Sequence, residues 1–132
     1  MIAVVVAAHG HLAEELLRTA EQVVGPQEKL LALSAAPHEV HDKLCDAFAS
    51  LDDGDGVLVL CDLLGGSLTQ CALPLCASRK IEVVSGVNLP MLLKLTSLRQ
   101  KGLALPELAR EVAAVGRAQV VLASELVRKQ AG

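Results

Sequence analysis

Two apolar runs in this chain each end in a residue able to do chemistry. Ile2 to Ala8 (IAVVVAA) leads directly into His9 and Gly10. Val57 to Cys61 leads into Asp62-Leu63-Leu64-Gly65-Gly66-Ser67. An imidazole attacks only through an unprotonated ring nitrogen, and a free histidine, with a pKa near ~6.5, is largely neutral at the pH of cytoplasm. A carboxylate that accepts the Nδ1 proton fixes the tautomer and leaves Nε2 free. It also stabilises the cation formed once Nε2 is bonded. Asp62 is assigned that orienting role and His9 the nucleophilic one.

The residues around this pair suit an anion. Gly10 permits a tight turn after His9, and a helix begins near His11. Gly65-Gly66-Ser67 leads into another helix. Helix N-termini and glycine-exposed N–H groups form phosphate-sized sites, and the Ser67 hydroxyl could donate to a phosphoryl oxygen. Gly10, Gly65, Gly66 and Ser67 are therefore the expected phosphate-binding residues. Leu12, Leu63 and Leu64 would supply an apolar rim for a protein partner. Together these features suggest reversible phosphoryl transfer through phosphohistidine. No Walker motif, GxGxxG or metal-ligand cluster occurs in the sequence, so the reading calls for no cofactor, nucleotide or metal.

Elements that alternate between strand and helix must position these residues. The run Ile2–Ala8 has the continuous apolar character of a central parallel strand. Leu12, Leu16, Ala20 and Val23 then recur at helical spacing to about Val24, where Gly25-Pro26 ends the helix. Lys29–Leu33 reads as a second strand. Pro37 opens a second helix with Val40, Leu44, Phe48 and Leu51 on one face. Asp52 to Gly56 is a turn cluster, read as solvated. Val57–Cys61 is the third strand. Ser67 is placed as a helix cap, with Leu68, Cys71, Ala72 and Leu75 facing inward. Ile81–Ser85 is the fourth strand. Asn88 caps a fourth helix that carries Pro90 in its first turn. Pro106 starts a fifth helix to about Val115. Ala118–Ala123 reads as a short strand, followed by a polar tail from Ser124 to Gly132.

Alternating strands and helices with short connections predict a parallel sheet covered on both faces. Right-handed crossovers leave a doubly wound α/β domain of strand order 2-1-3-4 as the simplest topology. In that order strands one and three are neighbours, and ligands bind at such switch points beyond the carboxyl ends of the strands. His9 and Asp62 both fall there.

Composition narrows the function further. The chain has 132 residues, enough for one domain with a substantial core. Phe48 is the sole aromatic residue and the net charge is −3, so nucleic-acid stacking and a basic stripe are both missing. Mean hydropathy is high at +0.47, which fits a sheet buried on both faces. No apolar run approaches the ~20 residues of a membrane span. The N-terminal run lacks the basic flank of a signal peptide. The four cysteines, Cys45, Cys61, Cys71 and Cys76, form no CxxC pair and are read as reduced core residues of a cytoplasmic protein.

Three motifs carry a family resemblance: AHGH at Ala8–His11, DLLGGS at Asp62–Ser67 and GVNLPML at Gly86–Leu92. In order and spacing the chain resembles the EIIA domain of the mannose-family phosphotransferase system (PTS) over nearly its whole length, 1–132. The resemblance implies a flavodoxin-like fold. It also implies that His9 takes a phosphoryl group on Nε2 from phospho-HPr and passes it to an EIIB partner, with Asp62 paired to the histidine. It further implies a homodimer made by exchanging a C-terminal strand, here Ala118–Ala123, which would cover the partner's sheet edge. Contact with a membrane would then be indirect, through an EIIC/EIID complex. One stretch departs from the family pattern. Many members have proline, an aromatic residue and a polar residue after GGS or GGT, whereas this chain has Leu68-Thr69-Gln70. That change bears on loop stiffness and docking.

Competing readings exist. Asp62 taken alone would be a helix or turn cap, Ser67 is explained equally by capping, and His11 competes with His9 as acceptor. His38 and His41 read as solvated. A stand-alone regulatory module, reporting phosphorylation state without sugar transport, fits the same motifs. A response-regulator receiver would need acidic metal ligands after strand one, where His9, Gly10 and His11 stand. GGSLT is not the GxSxG elbow of a hydrolase.

Overall fold

The computed structural model describes residues 1–34, 36, 38–65 and 67–131; the side chains of Ser67 and Leu68 also lie outside the description. The strands are β1 (Ala3–Ala7), β2 (Leu30–Leu33), β3 (Val57–Cys61) and β4 (Ile81–Ser85). The helices are α1 (Leu12–Val24), α2 (Val40–Leu51), α3 (Ser67–Ala72), α4 (Leu89–Arg99), α5 (Leu105–Ala118) and α6 (Ala123–Ala131). All strand pairs are parallel and the order is β2-β1-β3-β4, as the alternation predicts. The register sets Ala7 beside Cys61, so both strands stop at the same level of the sheet.

Side-chain alternation divides the core in two. Val4 and Val6 of β1 and Leu58 and Leu60 of β3 face α1, α4 and α5, meeting Met91, Leu92, Leu95, Leu108 and Val112. Ala3, Val5 and Ala7 face α2 and α3, meeting Val40, Leu44, Phe48 and Ala72. Every residue of β1 and β3 is buried. At ~1.5–3 kcal/mol for each fully buried Val or Leu side chain, these two strands anchor the platform whose ends carry His9 and Asp62.

Several boundaries differ from the sequence reading. The expected start of α2 at Pro37 falls outside the described residues, and the helix itself runs from Val40. The third helix is short and gives way at Leu73 to a 3-10 turn, Leu73–Ala77, carrying Pro74. In α1 the inward face is Ala13, Leu16, Leu17 and Ala20, while Leu12 and Val23 are exposed. Of the cysteines only Cys61 is fully buried, the other three being partly exposed, and all four are free thiols. Asn88 caps α4 as expected, its Oδ1 accepting from the Met91 N–H at 3.3 Å.

The short C-terminal strand is not formed in this chain. Ala118 ends α5 and Ala123 begins α6. Between them Gln119 N–H donates to Gly116 O and Val120 N–H to Arg117 O, which are turn contacts rather than a ladder. The tail expected to be merely polar is helix α6. Val120, Val121 and Leu122 are all exposed.

The acidic turn Asp52–Gly56 does more than meet solvent. Asp52 Oδ1 accepts from the N–H groups of Gly54 and Gly56. Asp53 takes the Lys29 ammonium at 2.5 Å, and that bond holds its carboxyl far below the ordinary carboxylate range. Arg99 Nη1 donates to Ile2 O at 3.0 Å and Lys29 O at 3.3 Å, tying the end of α4 to the starts of β1 and β2. Both devices sit at the end of the sheet remote from His9.

Candidate active site

His9 follows β1 at the point where the chain turns back, and Gly10 makes the turn with φ +57°, in the left-handed region. Leu12 N–H donates to His9 O at 3.3 Å as α1 begins. Asp62 follows β3. Because β1 and β3 are neighbours in register, the two side chains meet. Asp62 Oδ2 lies 2.6 Å from His9 Nδ1 and accepts the His9 backbone N–H at 3.0 Å. Asp62 Oδ1 accepts the Leu63 N–H at 2.9 Å.

The pair is unequally exposed: the Asp62 side chain is 11% accessible, the His9 side chain 54%. Burial of Asp62 opposes its charge. The backbone N–H and ring of His9, with the Leu63 N–H, outweigh that cost and bring the carboxyl below its ordinary value. An ionised carboxylate only accepts hydrogen bonds, so the proton on the His9–Asp62 line belongs to Nδ1. Nε2 is then the ring nitrogen with a free lone pair, on a ring half open to solvent.

The loop after Asp62 carries Gly65, also left-handed at φ +87°. Gly66 falls outside the described residues; Ser67 opens α3. Leu12, Leu63 and Leu64 are exposed at 45%, 49% and 71% around the pair. His11 is turned away from Asp62, its Nδ1 lying 3.3 Å from Glu14 Oε2. His38 and His41 are exposed, as expected.

A family model for the PTS system fructose IIA component (EIIA-man) matches residues 3–113. The chain belongs to this EIIA family. It is 36% identical over 121 residues to the mannose-specific EIIAB component of Escherichia coli K12. That match covers 88% of this chain and only 38% of the relative's length. It is 28% identical over 134 residues to the fructose-specific EIIA component of Bacillus subtilis, covering 98% of this chain and 91% of that protein. The crystal structure of EIIA from Streptococcus agalactiae superposes with a TM-score of 0.85 at 27% identity, covering 95% of this chain and 99% of that one.

Within this EIIA fold, sequence reasoning missed the residues that hold the site's loops. Thr69 is 1% exposed, and its hydroxyl donates to Leu63 O at 2.6 Å. Gln70 Nε2 donates to Gly65 O at 3.2 Å. The Ser34 hydroxyl donates to Gly10 O, joining the end of β2 to the His9 turn. Val87 N–H donates to Cys61 O at 2.9 Å. Asn88 Nδ2 donates to Gly116 O, adding a tie to α5 beside its capping role. Thr69 left one usable signal: it stands three residues before the core residue Ala72, on the inward face of a helix.

Proposed function

We propose that this EIIA protein is a phosphocarrier that accepts a phosphoryl group from phospho-HPr on His9 Nε2 and passes it to an EIIB partner in PTS sugar uptake. The observation that carries the reading is the 2.6 Å contact between Asp62 Oδ2 and His9 Nδ1. It leaves Nε2 as the nucleophile without a general base. In the forward step the Nε2 lone pair forms a bond to phosphorus. The bond from phosphorus to the donor breaks, and its electron pair stays with HPr. Nδ1 keeps its proton throughout, and the positive ring is balanced by Asp62. In the second step a nucleophile on EIIB takes the phosphorus and Nε2 leaves with the electron pair.

In this scheme the Gly10 turn and the Gly65 loop, with Gly66 and Ser67, bind the phosphoryl oxygens through N–H and hydroxyl donors. Leu12, Leu63 and Leu64 form the surface against which HPr and EIIB dock. The whole chain, 1–132, works as one cytoplasmic EIIA domain, reaching a membrane only through EIIC/EIID partners. Among the described residues no helix is long and apolar enough to cross a membrane. It acts as a homodimer in which the exposed Val120-Val121-Leu122 segment pairs with the partner's sheet edge.

The test is intact mass after incubation with enzyme I, HPr and phosphoenolpyruvate, for wild type and His9→Ala. One acid-labile phosphate on wild type alone is the expected result. A phosphate retained on His9→Ala moves the acceptor elsewhere. No phosphate on either protein, with HPr itself labelled, replaces the phosphocarrier reading by that of a binding module or a different donor.

A further inference from the structure

The Asp62 loop leaves the sheet and is caught again by α3. Thr69 Oγ1 donates to Leu63 O at 2.6 Å. The same residue, Leu63, donates its N–H to Asp62 Oδ1 at 2.9 Å. Asp62 Oδ2 in turn accepts His9 Nδ1 at 2.6 Å. Four residues thus form one hydrogen-bonded line from a buried hydroxyl to the imidazole. Thr69 is the buried polar side chain in a core otherwise apolar among the described residues. The Thr69 hydroxyl also bears on the Cys61 thiol, the last residue of β3, opposing the rise in its pKa. One residue on, Gln70 Nε2 fastens Gly65 O at 3.2 Å.

We propose that Thr69 is a positioning residue for the His9–Asp62 pair. It fixes the Leu63 peptides, these fix the rotation of the Asp62 carboxylate, and the carboxylate selects the Nδ1–H tautomer of His9. Gln70 backs it by fastening the far side of the loop. A packing residue would not need a hydroxyl here, since valine has the same shape. The position is one where the chain departs from the common family pattern after GGS, so the device belongs to this chain's own residues.

The rate readout rests on the phosphocarrier reading; the tautomer readout does not. Thr69→Val, Thr69→Ser and wild type are compared by the 15N shifts of the His9 ring and by single-turnover transfer from phospho-HPr. The wild-type ring is expected to show a protonated Nδ1 and a bare Nε2. Thr69→Val is expected to mix the two tautomers and slow transfer by about ten- to a hundredfold, with KM for phospho-HPr unchanged. Thr69→Ser keeps the donor and is expected to restore both. Wild-type tautomer and rate in a folded Thr69→Val overturn the proposal. If Thr69→Val does not fold, a Thr69→Ser that folds but loses the Nδ1–H tautomer overturns it equally. If wild-type protein takes no phosphate, the ring shifts still decide the positioning role while the carrier reading fails separately.

Discussion

A single oxygen of Asp62 holds His9 twice. Oδ2 accepts the ring at Nδ1, 2.6 Å away, and the backbone N–H at 3.0 Å. The ring orientation and the strand-end backbone are therefore set by one atom, and an amide at this position cannot supply the same charge to the ring in the proposed phosphorylated state. Asp62→Asn is expected to remain an acceptor but to transfer between about a hundred and ten thousand times more slowly. Rapid-quench kinetics with labelled phospho-HPr measure this; an unchanged rate would remove Asp62 from the mechanism.

His9→Ala is expected to abolish labelling while leaving the fold in place. The side chain is half exposed and gives up one hydrogen bond, a loss of about 1 kcal/mol. Urea unfolding beside the mass measurement separates lost chemistry from lost structure.

Asp62 also gives stability a pH dependence. Its folded carboxyl lies below the ordinary value, so the unfolded chain binds the proton more readily. The contribution is present above the unfolded pKa of about 3.9 and is lost as pH falls through the folded value. The stability gap between wild type and Asp62→Asn should therefore narrow as urea unfolding is repeated from pH 6 down toward pH 3. A gap that widens on acidification contradicts the assignment.

Cys61 works in the opposite direction. Burial, opposed by the Thr69 hydroxyl and helped by the Asp62 charge, pushes its thiol up to about 11. Its contribution is complete below the ordinary thiol pKa of about 8.5 and is lost as pH rises through the folded value. In native protein at pH 8, a thiol reagent is expected to label Cys45, Cys71 and Cys76 and to spare Cys61 until denaturant is added. Fast native labelling of Cys61 would show that the β3 end opens.

Removing residues from Gln119 onward is expected to weaken the proposed homodimer and leave the sheet intact, because α5 ends at Ala118. Sedimentation of full-length and shortened chains checks it; equal masses at every concentration would refute the exchanged segment.

Legibility in the sequence followed how local each cause was. β1 and β3 are continuous apolar runs, so their burial and their parallel pairing were readable, and with them the meeting of His9 and Asp62. Asn88 and Pro90 announce α4 by their own capping chemistry. Val120-Val121-Leu122 has strand composition, but a strand exists only in a pair, and composition names no partner. The Lys29–Asp53 pair and the Thr69 bond to Leu63 depend on how separate segments pack, which spacing along the chain does not encode. Asp52–Gly56 looked like a plain turn for the same reason.

The nearly aromatic-free core has a practical corollary. With no tryptophan or tyrosine and Phe48 buried as the lone ring, the protein is almost dark in the near ultraviolet. Leu64 stands 71% exposed in the loop that follows Asp62. A tryptophan introduced there would be the molecule's only strong fluorophore, seated on the surface proposed to receive a phosphoryl group and a partner protein. Both events could then be followed in real time, on an unlabelled chain, against almost no background.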